Sequence, residues 1–299
     1  MKKILLAVSM ILMSIVSYGK LKVGVTLQPY YSYVSNIAGD KMDVIPVIRG
    51  DIYDSHSYRP RPEDIKKMAT LNILVVNGIG HDEFIYEIVR SARMGGKIKI
   101  INANKGVSLM PVSGMRTKTR IMNPHSFISI TSSIQQIYTI ARELGQIDPA
   151  NKAYYNKNAQ VYAQKLRNMK AAAITKVNHL KNLNMRVATS HAGYDYLLSE
   201  FGLRVRAVIE PAHGVEPSAS DIKAIIDTIK RDKIDVVFVD AQAPNKYSTT
   251  IQKATGVRIR SLSHMSRGAY TKDGFERFMK YNLDSLTSAM LEVGKTRGR

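Results

Sequence analysis

The chain lacks cysteine altogether: none occurs among its 299 residues. This absence excludes disulfide bonds, thiolate metal sites and a cysteine nucleophile, and it excludes a lipid attached through an N-terminal cysteine. The sequence also lacks the His-Glu-x-x-His motif of zinc hydrolases and the Gly-x-Ser-x-Gly motif of serine hydrolases. We therefore expect a protein that is not an enzyme.

Acidic residues are scarce, with 24 Asp and Glu against 44 Lys and Arg, so that the formal net charge is +20. Nucleic acid is the usual partner of such a surplus. Here the lysines are scattered along predicted helices and no aromatic residues alternate with them in a binding strip, so we expect no nucleic-acid function. A solvated basic surface, or peripheral contact with an anionic membrane surface, explains the charge better.

Long apolar runs are confined to the first twenty residues, MKKILLAVSMILMSIVSYGK. Their positive start, short apolar stretch and small-residue end predict a signal peptide over residues 1–19, cut before Lys20. The apolar stretch is too short to span a bilayer well, and no later stretch is apolar enough to span one. An exported chain without a cysteine for a lipid anchor indicates the periplasm.

Short β-branched runs alternate with helical periodicity along the rest of the chain. This alternation predicts parallel sheets with helices on both faces, and two sets of four strands predict an α/β protein with two Rossmann-like lobes. The predicted strands are residues 21–26, 44–49, 73–77, 97–101, 186–190, 204–209, 234–239 and 257–262. The predicted helices in the lobes are residues 62–71, 83–93, 126–144, 221–232 and 275–293.

A long helix is predicted between the two sets of strands. Gly145 can end the preceding helix, and Asp148 followed by Pro149 is typical of a helix start. About 33 residues at 1.5 Å each give a rod of roughly 50 Å, and lobes joined in this way should move little against each other. The expected units are residues 20–147, the linker 148–183, and residues 184–299. The apolar stripe of the linker consists of Tyr155, Ala159, Tyr162, Leu166, Met169, Ala173, Val177 and Leu180.

Histidines cluster at the predicted ends of strands. His56, His81, His191 and His264 follow strands, and His125 follows a proline at the predicted start of a helix. Ligands of open α/β sheets bind beyond the carboxyl ends of the strands, and imidazole is a common zinc ligand. Several such histidines in one cleft would form a metal site, whereas each one alone is more often an ordinary polar loop residue.

Four segments resemble one family in order along the chain. DSHSYRPRPEDIKKMATLNILVVNGIG (54–80), NPHSF (123–127), TSHAGYDYLLSEFGL (189–203) and EPSASDIKAI (216–225) are similar to segments of the periplasmic zinc/manganese-binding proteins of ABC importers, the cluster A-I solute-binding proteins. The match runs over nearly all of residues 21–295. It implies two α/β lobes joined by a long helix, with the metal ion between them.

The resemblance also implies the ligands. His56 and His125 match the ligands from the first lobe and His191 matches the third, where the family's zinc members have His and its manganese members commonly have Glu. The family's acidic fourth ligand falls at Ser263 in RSLSHMSRG, beside His264. We expect His264 as the fourth ligand, with Asp240 and then water as the alternatives.

Other polar residues receive weaker assignments. The stretch MPVSGMRTKTRIM (110–122) contains no histidine, unlike the long His-rich and acid-rich loop that many zinc members have there. His81 and His213 are candidates for an auxiliary site, or else are solvent-facing loop residues. The residues expected to accept imidazole N–H groups around the ion are Asp54, Tyr58, Asp195 and Asp240.

We therefore expect a monomeric periplasmic solute-binding protein. It would capture Zn²⁺ between its lobes and deliver the ion to an ABC permease, with Mn²⁺ as the other candidate cargo. The alternatives are a manganese-binding or iron-binding member of the same family, and then a zinc-dependent hydrolase or a surface adhesion protein.

Overall fold

Two parallel four-stranded sheets form the framework of the computed structural model. The model describes residues 19–51, 58–113, 121–180, 183–210, 217–242 and 246–298. The strands of the first sheet are β1 (Leu21–Val25), β2 (Met42–Pro46), β3 (Ile73–Val76) and β4 (Lys99–Asn102). The strands of the second sheet are β5 (Val187–Thr189), β6 (Val205–Val208), β7 (Val236–Asp240) and β8 (Arg258–Leu262).

Both sheets have the same topology, β2-β1-β3-β4 in one lobe and β6-β5-β7-β8 in the other. All pairings are parallel; in the first sheet Val23 lies opposite Val44 on one side and Ile73 on the other. The central strands β3 and β7 are buried along their whole length, which explains their unbroken β-branched and aromatic runs. The predicted α/β class and the two sheets are confirmed.

In the described part of the chain, nine α-helices accompany the strands. They are α1 (Gln28–Ala38), α2 (Pro62–Met68), α3 (Phe84–Ser91), α4 (Ile130–Ile147), α5 (Lys152–Val177), α6 (Asp195–Ser199), α7 (Ala219–Arg231), α8 (Lys246–Thr255) and α9 (Gly274–Thr296). The helices α1, α6 and α8 were not predicted. None of the helices in the described ranges is both long and apolar enough to cross a membrane.

The predicted linker is present as a long helix between the lobes. A 3₁₀ turn at Pro149–Asn151 precedes α5, and a second one at Asn178–Leu180 follows it. The predicted apolar stripe is buried apart from Met169, which is half-buried, and α5 packs along α1, α4 and α9. At 1.5 Å per residue, the 26 residues of α5 span about 39 Å.

A second crossing between the lobes follows β8. Residues 268–275 return to the first lobe, where the backbone N–H of Gly268 donates to the carbonyl of Gly50 at 2.8 Å. The Gln28 side-chain amide donates to the same Gly50 carbonyl at 3.3 Å and to the carbonyl of Gly268 at 2.9 Å. Phe275, at the start of α9, packs edge-on against Tyr33 of α1. The last part of the chain therefore contacts both lobes.

A buried carboxylate also joins the lobes. Glu200, directly after α6, accepts hydrogen bonds from the Ser129 hydroxyl at 2.9 Å and from the Thr131 amide at 2.7 Å, at the N-terminus of α4. The Lys170 ammonium group of α5 lies 3.2 Å from the same carboxylate. A negative charge at a helix N-terminus is favourable, so this contact stabilises the arrangement of α4, α5 and the second lobe.

Candidate metal centre

Four histidines meet in the cleft between the two sheets. His81 follows β3, His191 follows β5, and His264 follows β8, while His125 lies in the loop before α4. All four are buried, with exposed fractions of 3–8%. Three of the four thus lie beyond the carboxyl ends of parallel strands, where ligands of open α/β sheets bind.

The imidazole rings are in mutual contact. The Nε2 atoms of His125 and His191 are 3.1 Å apart, and their ring centroids are 4.7 Å apart. The His264 ring lies 4.7 Å from that of His125 and 5.4 Å from that of His191. The His81 ring lies 4.9 Å from that of His125 and 5.7 Å from that of His264.

The ring nitrogens lie close enough together for several imidazoles to bind one transition-metal ion. One ring nitrogen each from His81, His125 and His264 lies within 4.8 Å of the other two. Tetrahedral coordination at 2.0–2.1 Å places two ligand nitrogens about 3.3 Å apart. The pair formed by His125 and His191 is already near that spacing. Within the described residues, the close group of His81, His125 and His264 contains imidazoles and no carboxylate.

The predicted ligands are brought together as far as the structure describes them. His125, His191 and His264 lie in one cluster, although they come from three separate segments. His56 belongs to residues 52–57, outside the described residues, and His213 belongs to 211–216, also outside them. His81 was assigned to an auxiliary site or to a solvent-facing loop; instead it is buried against His125 and His264 in the main cluster.

His125 is oriented by Asn123. The Nδ1 atom of His125 lies 2.8 Å from the Oδ1 atom of Asn123, which also accepts the backbone N–H of His125 at 3.0 Å. With Nδ1 donating, Nε2 is the nitrogen that faces the cluster with its lone pair. The Asn123 amide group in turn donates to the carbonyl of Ala192 and to Asp195, at 2.7 and 2.8 Å.

Asn123 therefore connects the two lobes next to the ligands. Sequence reasoning missed it and expected Asp195 to accept an imidazole N–H directly; the structure places the amide of Asn123 between them. The usable signal was the Asn-Pro-His sequence itself, since an Asn two residues before a histidine can bond both its backbone and its ring. Burial raises the pKa of Asp195, and hydrogen bonds from Ser113 and Asn123 oppose that effect.

The predicted helix start at 126 is wrong. The helix α4 begins at Ile130 because the Ser129 hydroxyl accepts the amide of Ser132 and caps it. His125 therefore lies in an irregular loop, fixed by Pro124 and Asn123 rather than by a helical turn. Likewise Asp148 does not cap the linker helix; its carboxylate accepts the hydroxyl of Tyr155 at 2.5 Å.

His264 and His191 can lie close together because Gly193, which lies between the two rings, has no side chain. A Cβ at Gly193 would lie 2.9 Å from Cδ2 of His191 and 3.0 Å from Nε2 of His264. On the other side, the buried Asn282 amide of α9 accepts the N–H of Ser263 at 2.7 Å and donates to its carbonyl at 2.9 Å. These contacts fix the backbone that carries His264.

The other polar candidates have different partners. Asp240 is 9% exposed, and its carboxylate accepts the amide of Gln242 at 2.8 Å. It does not belong to the close group of ligand atoms in the described chain. The Tyr58 hydroxyl donates to Asp64 at 2.5 Å, and its ring packs on Phe84. Asp54 lies outside the described residues.

The sequence is similar to a known protein family over most of its length. Residues 23–289 match the family model described as ZnuA, zinc-uptake complex component A periplasmic. The manganese ABC transporter substrate-binding lipoprotein PsaA of Streptococcus mitis is 25% identical over 281 residues, which are 91% of this chain and 89% of that protein.

Solved structures are similar in fold over nearly the whole chain. The solute-binding protein FpvC of Pseudomonas aeruginosa, in complex with Mn²⁺, is 46% identical with a TM-score of 0.86, covering 92% of this chain and 100% of that one. The same protein is also described in complex with Ni²⁺. The crystal structure of ZnuA is 23% identical with a TM-score of 0.74, covering 91% of this chain and 100% of that one, and it shows the same fold.

Proposed function

We propose, since this chain belongs to the ZnuA family of metal-binding solute-binding proteins of ABC importers, that its cargo is Zn²⁺, held between the lobes by imidazole ligands. Members of this family are substrate-binding proteins and not enzymes. The protein would release the ion to the membrane permease of its importer.

One observation carries the choice of zinc: in the described chain, the close group of ligand atoms, from His81, His125 and His264, is made of buried imidazoles without a carboxylate. Imidazole nitrogen suits Zn²⁺ well, whereas Mn²⁺ prefers carboxylate, carbonyl and water oxygens. The proposed ligands are His125, His191 and His264, together with His56, which is assigned from the family resemblance alone. The first three also form mutual ring contacts.

A second candidate cargo is Mn²⁺ or Ni²⁺, because the 46% identical FpvC is described in complex with each of these ions. Affinity for divalent ions at nitrogen sites generally rises from Mn²⁺ to Ni²⁺, so Ni²⁺ is the stronger competitor at a site of imidazoles. A direct comparison of the three ions therefore tests the proposal.

The test is a competition titration of the metal-stripped protein with Zn²⁺, Ni²⁺ and Mn²⁺ against a chromophoric chelator. We expect one equivalent of Zn²⁺ to bind, more tightly than Mn²⁺, and His191→Ala and His264→Ala to weaken it. His179→Ala is the matched control, since His179 is exposed after the end of α5. Equal affinity for Mn²⁺ and Zn²⁺ would refute the zinc assignment, and an unchanged affinity in His264→Ala would refute that ligand.

The cellular setting follows from the family. Relatives are named substrate-binding lipoproteins of ABC transporters, which is consistent with a location outside the cytoplasmic membrane. We propose the periplasm, a monomeric state and at most peripheral contact with anionic lipid. Cell fractionation, light scattering of the purified protein and sedimentation with anionic vesicles test these three points in turn.

A further inference from the structure

We propose that His81 is a direct ligand of the transported ion, the fourth imidazole beside His125, His191 and His264 in place of His56, whose assignment comes from the family resemblance alone. This inference rests on the proposed function and deepens it, because it assigns a ligand that the family resemblance does not supply. The segment NGIGHDEF (77–84) lies beyond the family's His-x-Tyr-x-Pro-x-Pro element, and its histidine matches none of the ligand positions taken from the family.

The ring of His81 lies inside the imidazole cluster. His81 is 4% exposed, and its ring stands edge-on to His125, with an interplanar angle of 81° and a centroid separation of 4.9 Å. It lies nearly parallel to the His264 ring at 5.7 Å. One nitrogen of each of these three rings lies within 4.8 Å of the other two. A single ion placed among them would need only small side-chain rotations to reach all three.

The loop that follows β3 holds His81 in place. Gly78 and Gly80 have φ angles of 70° and 103°, so the chain turns back after β3 through conformations that other residues rarely adopt. Asp82, the residue after His81, accepts the Thr26 hydroxyl at 2.5 Å and the amides of Asn77 and Gly78 at 2.6 and 3.2 Å.

The hydrogen bonds from Thr26, Asn77 and Gly78 hold the turn around the buried Asp82 carboxylate. A ligand held before the ion arrives loses less conformational freedom on binding, which favours affinity. Asp82 does not contribute as a ligand in this arrangement, since its carboxylate is engaged with the turn. His81 is therefore the only side chain that this rigid turn, residues 77–82, directs to the cluster within the described chain.

His81 and His264 also share a cavity, whose other walls include Gln28, Arg49 and Tyr270. This cavity lies beside the second crossing, so open space borders the imidazole cluster at these two rings.

The experiment uses the full mature chain, metal-stripped, with histidine labelled at the ring nitrogens. Two-dimensional ¹H–¹⁵N NMR of the wild type, with and without one equivalent of Zn²⁺, reports which ring nitrogens become metal-bound. In parallel, the affinity for Zn²⁺ and the visible spectrum of bound Co²⁺, which is intense for tetrahedral sites, are compared for wild type, His81→Ala, His81→Gln and the control His179→Ala.

We expect the His81 resonance to shift on addition of Zn²⁺ to the value of a metal-bound nitrogen. His81→Ala and His81→Gln should each weaken Zn²⁺ binding by about tenfold or more and lower the intensity of the Co²⁺ spectrum, since even outer-sphere partners are worth 10–100-fold. The NMR experiment on the wild type keeps the test valid if a variant fails to fold.

The inference is overturned if one equivalent of Zn²⁺ shifts the signals of His125 and His191 while the signal of His81 stays unchanged. It is also overturned if the His81 variants bind Zn²⁺ as tightly as the His179 control. A wild type that takes up no divalent ion would instead refute the proposed function, so the two failures can be told apart.

Discussion

Replacing Asn123 with alanine should lower both the stability of the metal-free protein and its affinity for Zn²⁺. The side chain is fully buried, its Oδ1 atom fixes the ring of His125, and its amide group donates to Ala192 and Asp195 of the other lobe. In Asn123→Ala, the ring and backbone N–H groups of His125, the Ala192 carbonyl and the Asp195 carboxylate each lose a hydrogen bond to this side chain. Losing these bonds lowers the free energy of unfolding of the metal-free protein by about 2–4 kcal/mol.

The same substitution should weaken Zn²⁺ binding by about 10–100-fold, because His125 loses the acceptor that sets its tautomer and orientation. Urea denaturation of the metal-free protein measures the first effect, and competition with a chelator measures the second. Asn36→Ala is the matched control, since the Asn36 amide also joins residue 272 to the first lobe, at 2.8 Å from the Lys272 carbonyl, without touching a histidine of the cluster.

Asn123→Asp separates the two roles of the Asn123 side chain, which are to orient His125 and to donate to Asp195. The carboxylate keeps an acceptor for His125, so Zn²⁺ affinity should stay near the wild-type value. Its second oxygen would lie against the Asp195 carboxylate, where the amide now donates at 2.8 Å, so stability should fall as in Asn123→Ala. If Asn123→Ala loses stability but binds Zn²⁺ as tightly as the wild type does, Asn123 does not position a ligand and the reasoning fails.

Three further predictions follow from the same structure. Gly193→Ala should weaken Zn²⁺ binding by about tenfold or more, because its Cβ would collide with two imidazoles; Gly95→Ala, with open space around it, should bind normally in the same titration. Glu200→Gln should lower the free energy of unfolding by about 1–3 kcal/mol in urea denaturation and leave Zn²⁺ affinity unchanged; a change in affinity alone would contradict this. Zn²⁺ affinity should fall as the pH drops below about 6.5, since protons compete for the imidazoles, and a flat pH profile in chelator competition would argue against imidazole ligands.

The sequence predicted the sheets better than the helices around them. Each of the eight strands has a β-branched run, and every run became a strand. The helix α1 was not predicted, although most of its residues are buried, among them Tyr30, Tyr33 and Ile37. The strand β2 was placed too late, since Val47 and Ile48 are buried beyond its end at Pro46 and look like strand residues.

The part of the candidate site that is positioned by the ends of the parallel strands could be predicted from the sequence. His191 and His264 follow strands directly, so the strand-end rule was sufficient to bring them together. His81 is separated from its strand by a glycine turn, and only the φ angles of Gly78 and Gly80 and the bonds of Asp82 show that the turn folds back. The local bonds of Asn123 to His125 could be inferred from Asn-Pro-His, whereas its bonds to Ala192 and Asp195 join distant segments, which no pattern along a single segment can reveal.

The double connection between the lobes constrains how the ion leaves. The helix α5 and residues 268–275 form two covalent crossings, and the bonds among Gln28, Gly50 and Gly268 lie beside the second one. A wide hinge opening would have to deform both crossings together. On the proposed function, the ion would therefore leave through a local displacement of the segment between β8 and residue 268, which carries the proposed ligand His264.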